Sequence, residues 1–219
     1  MENKIKNLIQ RPITSSFCVS YYNKKKISSK NIFLFALVFF MAVPADEKGS
    51  EQLLFVLPDN WVETYTDRTE NLSTSEYVPN GQTEASWSEM ISIQILLDTG
   101  NSDPDLMLTK VAGHLKKECT GFNIKPIQLT GINNTYPSLT MMTFCPKKKE
   151  GEYGEISIVR GISGKQSFYL LQKLWRTRPF TSEEEFPINL EQRKFWLGYI
   201  AYLGICDPKL KNCPENVSK

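Results

Sequence analysis

The chain predicts an α+β fold, a mostly antiparallel β-sheet packed with at least two helices. Three observations carry that expectation. Short runs rich in β-branched and aromatic residues recur between turn clusters. Two segments repeat apolar residues at three- and four-residue spacing and begin with capping residues. No internal repeat or low-complexity linker divides the part of the chain that holds them.

The first 45 residues differ in character from the rest. Lys4, Lys6, Arg11, Lys24, Lys25, Lys26 and Lys30 stand against one acid, Glu2, and the apolar run from Ile32 to Val43 follows. A basic flank, a short apolar core and small residues beyond it are the parts of a secretory signal. The run is well short of the roughly 20 residues that a membrane-spanning helix needs. We therefore expect cleavage after Ala45, no permanent membrane span, and a single exported domain over residues 46–219 with a flexible carboxyl-terminal tail. An uncleaved anchor and a buried apolar segment are the alternatives, and a misplaced translation start is a second explanation for part of the long basic region. No cysteine follows the apolar run at the cleavage position, which argues against a lipid-modified terminus.

Removing that segment takes the charged residues from 26 basic and 24 acidic to 19 and 23, a net charge of −4 with histidine neutral. A nucleic-acid partner is disfavoured, because such a protein keeps a basic surface in its mature form. The longest basic run left, Lys147-Lys148-Lys149, is followed by Glu150 and reads as a solvated hairpin tip.

Leu53 to Leu57 reads as a first strand stopped by Pro58-Asp59-Asn60, and Trp61 to Arg68 as a second, with Trp61 a core plug. Asn71 to Val78 reads as a third, ending at the Pro79-Asn80-Gly81 turn. Trp87 and Met90 read as a short helical turn leading into the alternating strand Ile91 to Leu96. The clearest helix starts next: Asp103 caps it, Pro104 fits its first position and Asp105 favours the positive end of its dipole. Leu108, Val111, Ala112, Leu115 and Cys119 form its apolar face, and Gly121 stops it. Four strands follow, Phe122 to Leu129, Ser138 to Cys145, Glu155 to Arg160 and Ser167 to Trp175, with Gly161 to Lys165 as the turn between the last two. Asn189 caps a second helix and Gln192 is placed to complete a capping box. Leu190, Trp196, Leu197, Ile200, Ala201 and Leu203 supply its packing side, and Phe186 or Ile188 packs back against its first turns.

Cys119, Cys145, Cys206 and Cys213 remain after cleavage, and an even number in an exported chain points to disulfides. Three pairings are open. Cys206 with Cys213 and Cys119 with Cys145 are favoured, the first closing a short loop across Pro208 and the second tying a helix end to a strand end. A zinc site is a poor alternative for thiols that lack any CxxC pair.

His114 is the only histidine, which excludes multi-histidine metal sites and the HExxH arrangement by composition. On the helical projection it lies with Lys110 and Lys117, away from the apolar face, and reads as exposed and noncatalytic. There is no GxSxG nucleophile elbow, and the Gly161 to Lys165 segment lacks P-loop spacing. No metal, cofactor or catalytic set is therefore assigned. Carboxylates remain available for acid and base work, at Glu63, Asp67, Glu70 and Glu76 and again at Glu150, Glu152 and Glu155. Glu183-Glu184-Glu185 reads as a solvated charge run.

Two surfaces combine contact area with hydrogen-bonding groups. One holds Glu76, Tyr77, Asn80, Gln82 and Trp87. The other holds Tyr153, Tyr169, Trp175, Arg176 and Arg178, whose guanidinium groups suit an acidic partner or the nearby glutamates.

The stretch Phe55-Val56-Leu57-Pro58-Asp59-Asn60-Trp61 resembles the opening of exported proteins with the Mog1 and PsbP type of fold, and the pattern from Phe55 through Trp87 and Met90 resembles small exported proteins of Gram-negative bacteria. The resemblance implies an antiparallel sheet between helices and a binding or accessory role; it supplies no active residues to transfer. The leading expectation is a periplasmic or secreted binding or accessory protein, its partner an envelope protein, a host protein or a small extracellular ligand. A small carboxylate-dependent hydrolase of extracellular glycans and a structural subunit of an envelope assembly are the competing expectations.

Overall fold

The structure is a computed structural model and describes residues 51–129, 136–181, 187–210 and 213. The expected signal segment, Phe186, the Glu183 to Glu185 run and the tail after Cys213 lie outside the described residues.

Seven antiparallel strands form the main sheet. In spatial order they are β2 (Trp61–Arg68), β3 (Leu72–Pro79), β4 (Glu89–Leu96), β10 (Phe168–Thr177), β9 (Gly154–Ser163), β7 (Ser138–Cys145) and β6 (Asn123–Ile127). Two small ribbons accompany it: β1 (Gln52–Leu54) with β11 (Gly204–Cys206), and β5 (Cys119–Thr120) with β8 (Lys147–Lys148). Helix α1 (Pro104–Lys117) packs on one face and α2 (Leu190–Ala201) on the other, so the α+β expectation holds.

Both helices start where local chemistry places them. Asp103 accepts from the Asp105 amide through its side chain, and Asn189 accepts from the Gln192 amide. An unpaired amide at a helix start costs about 1 kcal/mol without such a cap. The two faces differ in size. Leu108 and Ala112 of α1 cover Met141, Val159, Phe168 and Leu170. Trp196, Tyr199 and Ile200 of α2 pack with Phe55, Ile91, Ile156, Ile158, Leu171 and Trp175 in the larger core.

Several local expectations are corrected. Trp87 and Met90 do not form a helical turn: Met90 is inside β4, because its side chain is buried as part of the alternating strand. Strand β9 continues through Ile162 and Ser163, so the turn is shorter than Gly161 to Lys165. It closes where Gly164 donates to Ser167, and a Cβ at Gly164 would collide with the Glu51 carboxylate, which accepts from the Lys165 and Gln166 amides. Leu57 is not in a strand, and β1 pairs with β11, not with the main sheet. Leu190 is exposed, and Leu203 lies beyond the end of α2 but is buried. Lys147 and Lys148 pair as β8 and form ion pairs with Glu152 and Glu118.

The favoured disulfides both form. Cys119–Cys145 joins the segment after α1 to the end of β7, and Cys206–Cys213 ties β11 to the chain beyond it. No helix among the described residues is long and apolar enough to cross a membrane.

Candidate functional site

One row of side chains crosses the α1 face of the sheet through Tyr65, Glu76, Ser92, Gln172, Val159 and Met141. Residues directly opposite each other in an antiparallel ladder point to the same side. Val159 and Met141 lie beneath α1 and are apolar, whereas the β2, β3, β4 and β10 end of the row is polar. There Tyr65 is exposed, Glu76 and Gln172 are half-buried, and Ser92 keeps only 4% of its surface accessible. The next row adds Asp67, Thr74 and Gln94. Helix α1 is thus offset toward β7 and β9, and a polar half-face remains beside it.

Charge accumulates on that half-face. Burial, followed by the nearby Glu84 carboxylate, pushes the Glu76 carboxyl above its ordinary value, while a hydrogen bond with Ser92 opposes the rise. Asp67 is the main cause of a raised Tyr65 hydroxyl, with Glu84 and Glu76 adding to it. Three carboxylates therefore act on one exposed phenol.

The loop between β3 and β4 closes one end of this face. Gln82 is not a free contact group: it accepts from the Ser88 amide and donates to the Ser88 hydroxyl, which braces the loop. The loop sets the Trp87 ring 4.3 Å from the Arg176 guanidinium, and Tyr153 lies 4.5 Å from the same group. Cation–π contact on two rings holds this arginine in place. Arg176 also donates to the Ala85 carbonyl at 3.5 Å. Across the ladder lies Glu155, whose carboxyl burial pushes upward while Lys148 and Arg176 draw it down.

The structure thus brings together Trp87, Tyr153 and Arg176 from the two surfaces anticipated in the sequence, places Glu76 on the same sheet face, and separates others. Tyr77 is on the opposite face, packed at 5.7 Å against Phe55, because strand parity sends it into the larger core. Tyr169 and Trp175 are buried in that same core. Asn80 is exposed at the turn and Arg178 is exposed beyond β10. His114 is 76% exposed and lies 3.7 Å from Glu118.

Two buried cations on the α2 face are not anticipated from the sequence. Lys173 is 1% exposed; its ammonium lies 4.4 Å from the ring of Trp196, 4.7 Å from Trp175 and 4.8 Å from Trp61, and donates to Glu89 at 2.6 Å. Burial lowers its pKa to about 8, against an upward pull from Glu89. A cavity of about 10 Å³ adjoins it, lined in part by Phe55, Leu171 and Tyr199, room for about one water. Arg160 is 6% exposed and reaches only hydroxyl groups, those of Thr140 at 3.3 Å and Ser138 at 3.1 Å. The legible signal was parity: Tyr169, Leu171, Lys173 and Trp175 alternate onto one face, so a lysine stands at a core position.

No protein-family model matches the chain, and no curated protein matches it. Among solved structures it is similar to the Saccharomyces cerevisiae Ran-binding protein Mog1p, at 14% identity over 68% of this chain and 84% of that one, with a TM-score of 0.39. The architecture described above stands on strand order and register, independently of that match.

Proposed function

We propose that this is an exported binding or accessory protein whose partner engages the half-face between α1 and the β3–β4 loop. The observation that supports the reading is the row Tyr65, Glu76, Ser92 and Gln172, polar and partly exposed at Tyr65, Glu76 and Gln172 where the same row is apolar and helix-covered at Val159 and Met141. Asp67, Glu76 and Glu84 give this face negative character, so a partner segment rich in positive charge and hydrogen-bond donors is complementary to it. Trp87 and Tyr153, held against Arg176, supply an aromatic rim.

The test has two stages. Produced as the full precursor in a Gram-negative host, the protein gives a mass that begins at Asp46 and lacks four hydrogens; an unprocessed chain with free thiols defeats the export reading. The processed protein is then titrated with a lysine-rich peptide and a glutamate-rich one while amide shifts are followed. Shifts at Glu76, Ser92 and Gln172 with the cationic peptide alone support the proposed face, and shifts confined to α2, or none, defeat it.

A carboxylate-dependent hydrolase is the second reading, favoured by the raised Glu76 carboxyl with Glu84 near it, since a general acid must keep its proton near neutral pH. Glycan cleavage that is lost in Glu76→Gln separates it from the binding reading.

A further inference from the structure

Arg160 carries its charge into the larger core, 6% exposed, without a carboxylate beside it among the described residues. Strand parity turns it to the α2 face, because it pairs with Leu171 on one side and Thr140 on the other. Of the five N–H donors on a guanidinium, one at Nη1 goes to the Thr140 hydroxyl and one at Nη2 to the Ser138 hydroxyl, while Nε–H is buried with no partner. Among the described residues no carboxylate forms an ion pair with it. Burial lowers its pKa from the ordinary value, yet a guanidinium does not give up its proton in a protein, so the charge stays in the core. Buried charges are otherwise paired, because desolvating an isolated ion is expensive.

Nε and the adjacent Nη form a planar fork that matches two oxygens of a carboxylate or phosphate. Ser138, bonded to Nη2 at 3.1 Å, is itself only half-buried, so this end of the guanidinium lies beside a partly exposed residue.

We propose that Arg160, with the Ser138 and Thr140 hydroxyls, binds an oxyanion, the carboxylate or phosphate group of a small ligand, at the β7–β9 side of the α2 face. The site is separate from the acidic half-face and does not depend on it. An anion held there completes the bidentate fork and neutralises the buried charge.

The experiment uses the processed, disulfide-bonded protein and reads the Arg160 Nε–Hε resonance while inorganic phosphate, acetate or chloride is added at constant ionic strength. The expected result is a saturable shift of that resonance with phosphate or acetate and none with chloride, accompanied by a higher melting temperature. Saturation with phosphate alone assigns a phosphate-bearing ligand, and with acetate alone a carboxylate. Arg160→Lys keeps the charge and removes the fork, so affinity falls at least about tenfold. Arg160→Met abolishes the anion-dependent rise in melting temperature. An unmoved wild-type resonance with both oxyanions overturns the proposal without recourse to any variant, and so does an equal anion effect in Arg160→Met.

Discussion

Lys173 and Arg160 are two cations buried on the same face of one sheet, yet the chain treats them in opposite ways. Lys173 is surrounded by three indole rings and a carboxylate contributed by β2, β4, β10 and α2. Its single charge therefore joins four elements. Arg160 is held by two hydroxyl groups of one neighbouring strand. The difference teaches that burial alone does not define a structural charge. A buried ion whose field is answered by fixed groups belongs to the architecture, and one that is answered only in part is poised to recruit a ligand.

The largest expected effect breaks the lysine side of the comparison. Trp196 packs against Trp61, Phe195 and Tyr199 as well as the ammonium, so Trp196→Ala leaves a cavity and removes a cage wall. Urea denaturation is expected to show a loss of about 4 kcal/mol. Glu89→Gln keeps the shape but removes the countercharge from an almost fully buried ammonium; Glu89 is itself 26% exposed, which moderates the loss to roughly 3 kcal/mol by the same measurement.

Titration sharpens the contrast. The folded-state pKa of Lys173, about 8, is below the ordinary lysine value, so between these limits the unfolded chain binds more protons than the folded one. Stability accordingly rises as pH climbs from 8 toward 10, on the order of 2 kcal/mol. Above pH 10 the trend reverses, because burial holds the Tyr169 and Tyr199 hydroxyls above their ordinary values and unfolded tyrosines ionise first. Melting temperatures measured across this range test the sign, and Lys173→Met removes the rising limb. A wild-type curve that falls from pH 8 to 10 defeats the assignment of a depressed lysine.

The smallest expected effect is on the arginine side. In chloride, Arg160→Met removes a charge with no carboxylate partner and substitutes an apolar side chain, so its stability stays within about 1 kcal/mol of the parent in urea. A loss comparable to that of Glu89→Gln would show that Arg160 is as fully integrated as Lys173 and would erase the distinction between them.

The sequence by itself determined the features set by neighbours along the chain. Asp103 with Pro104 and Asn189 with Gln192 place both helix starts, because a cap acts over two or three residues. Alternation marks Ile91 to Leu96 as a strand, because side-chain parity is a local property of extended backbone. The four cysteines after residue 45 also limited the disulfides among them to three pairings. Part of the candidate site was legible as well: Trp87 and Arg176 combine ring and guanidinium in a way that advertises contact, but nothing local says that they meet.

Only the tertiary structure decided which partners those features find. Glu89 is 84 residues from Lys173 in sequence, and Arg160 is 20 from Thr140, so whether a buried cation is answered depends on strand order and register. The same holds for β1, whose composition reads as a strand while its partner, β11, lies at the far end of the chain. It also holds for Tyr77 and Glu76, adjacent in sequence but on opposite faces. Their different surroundings arise because α1 leaves half of its sheet face open while the other face carries the larger core. Periodicity tells a residue's side of the strand; long-range packing determines what stands there to meet it.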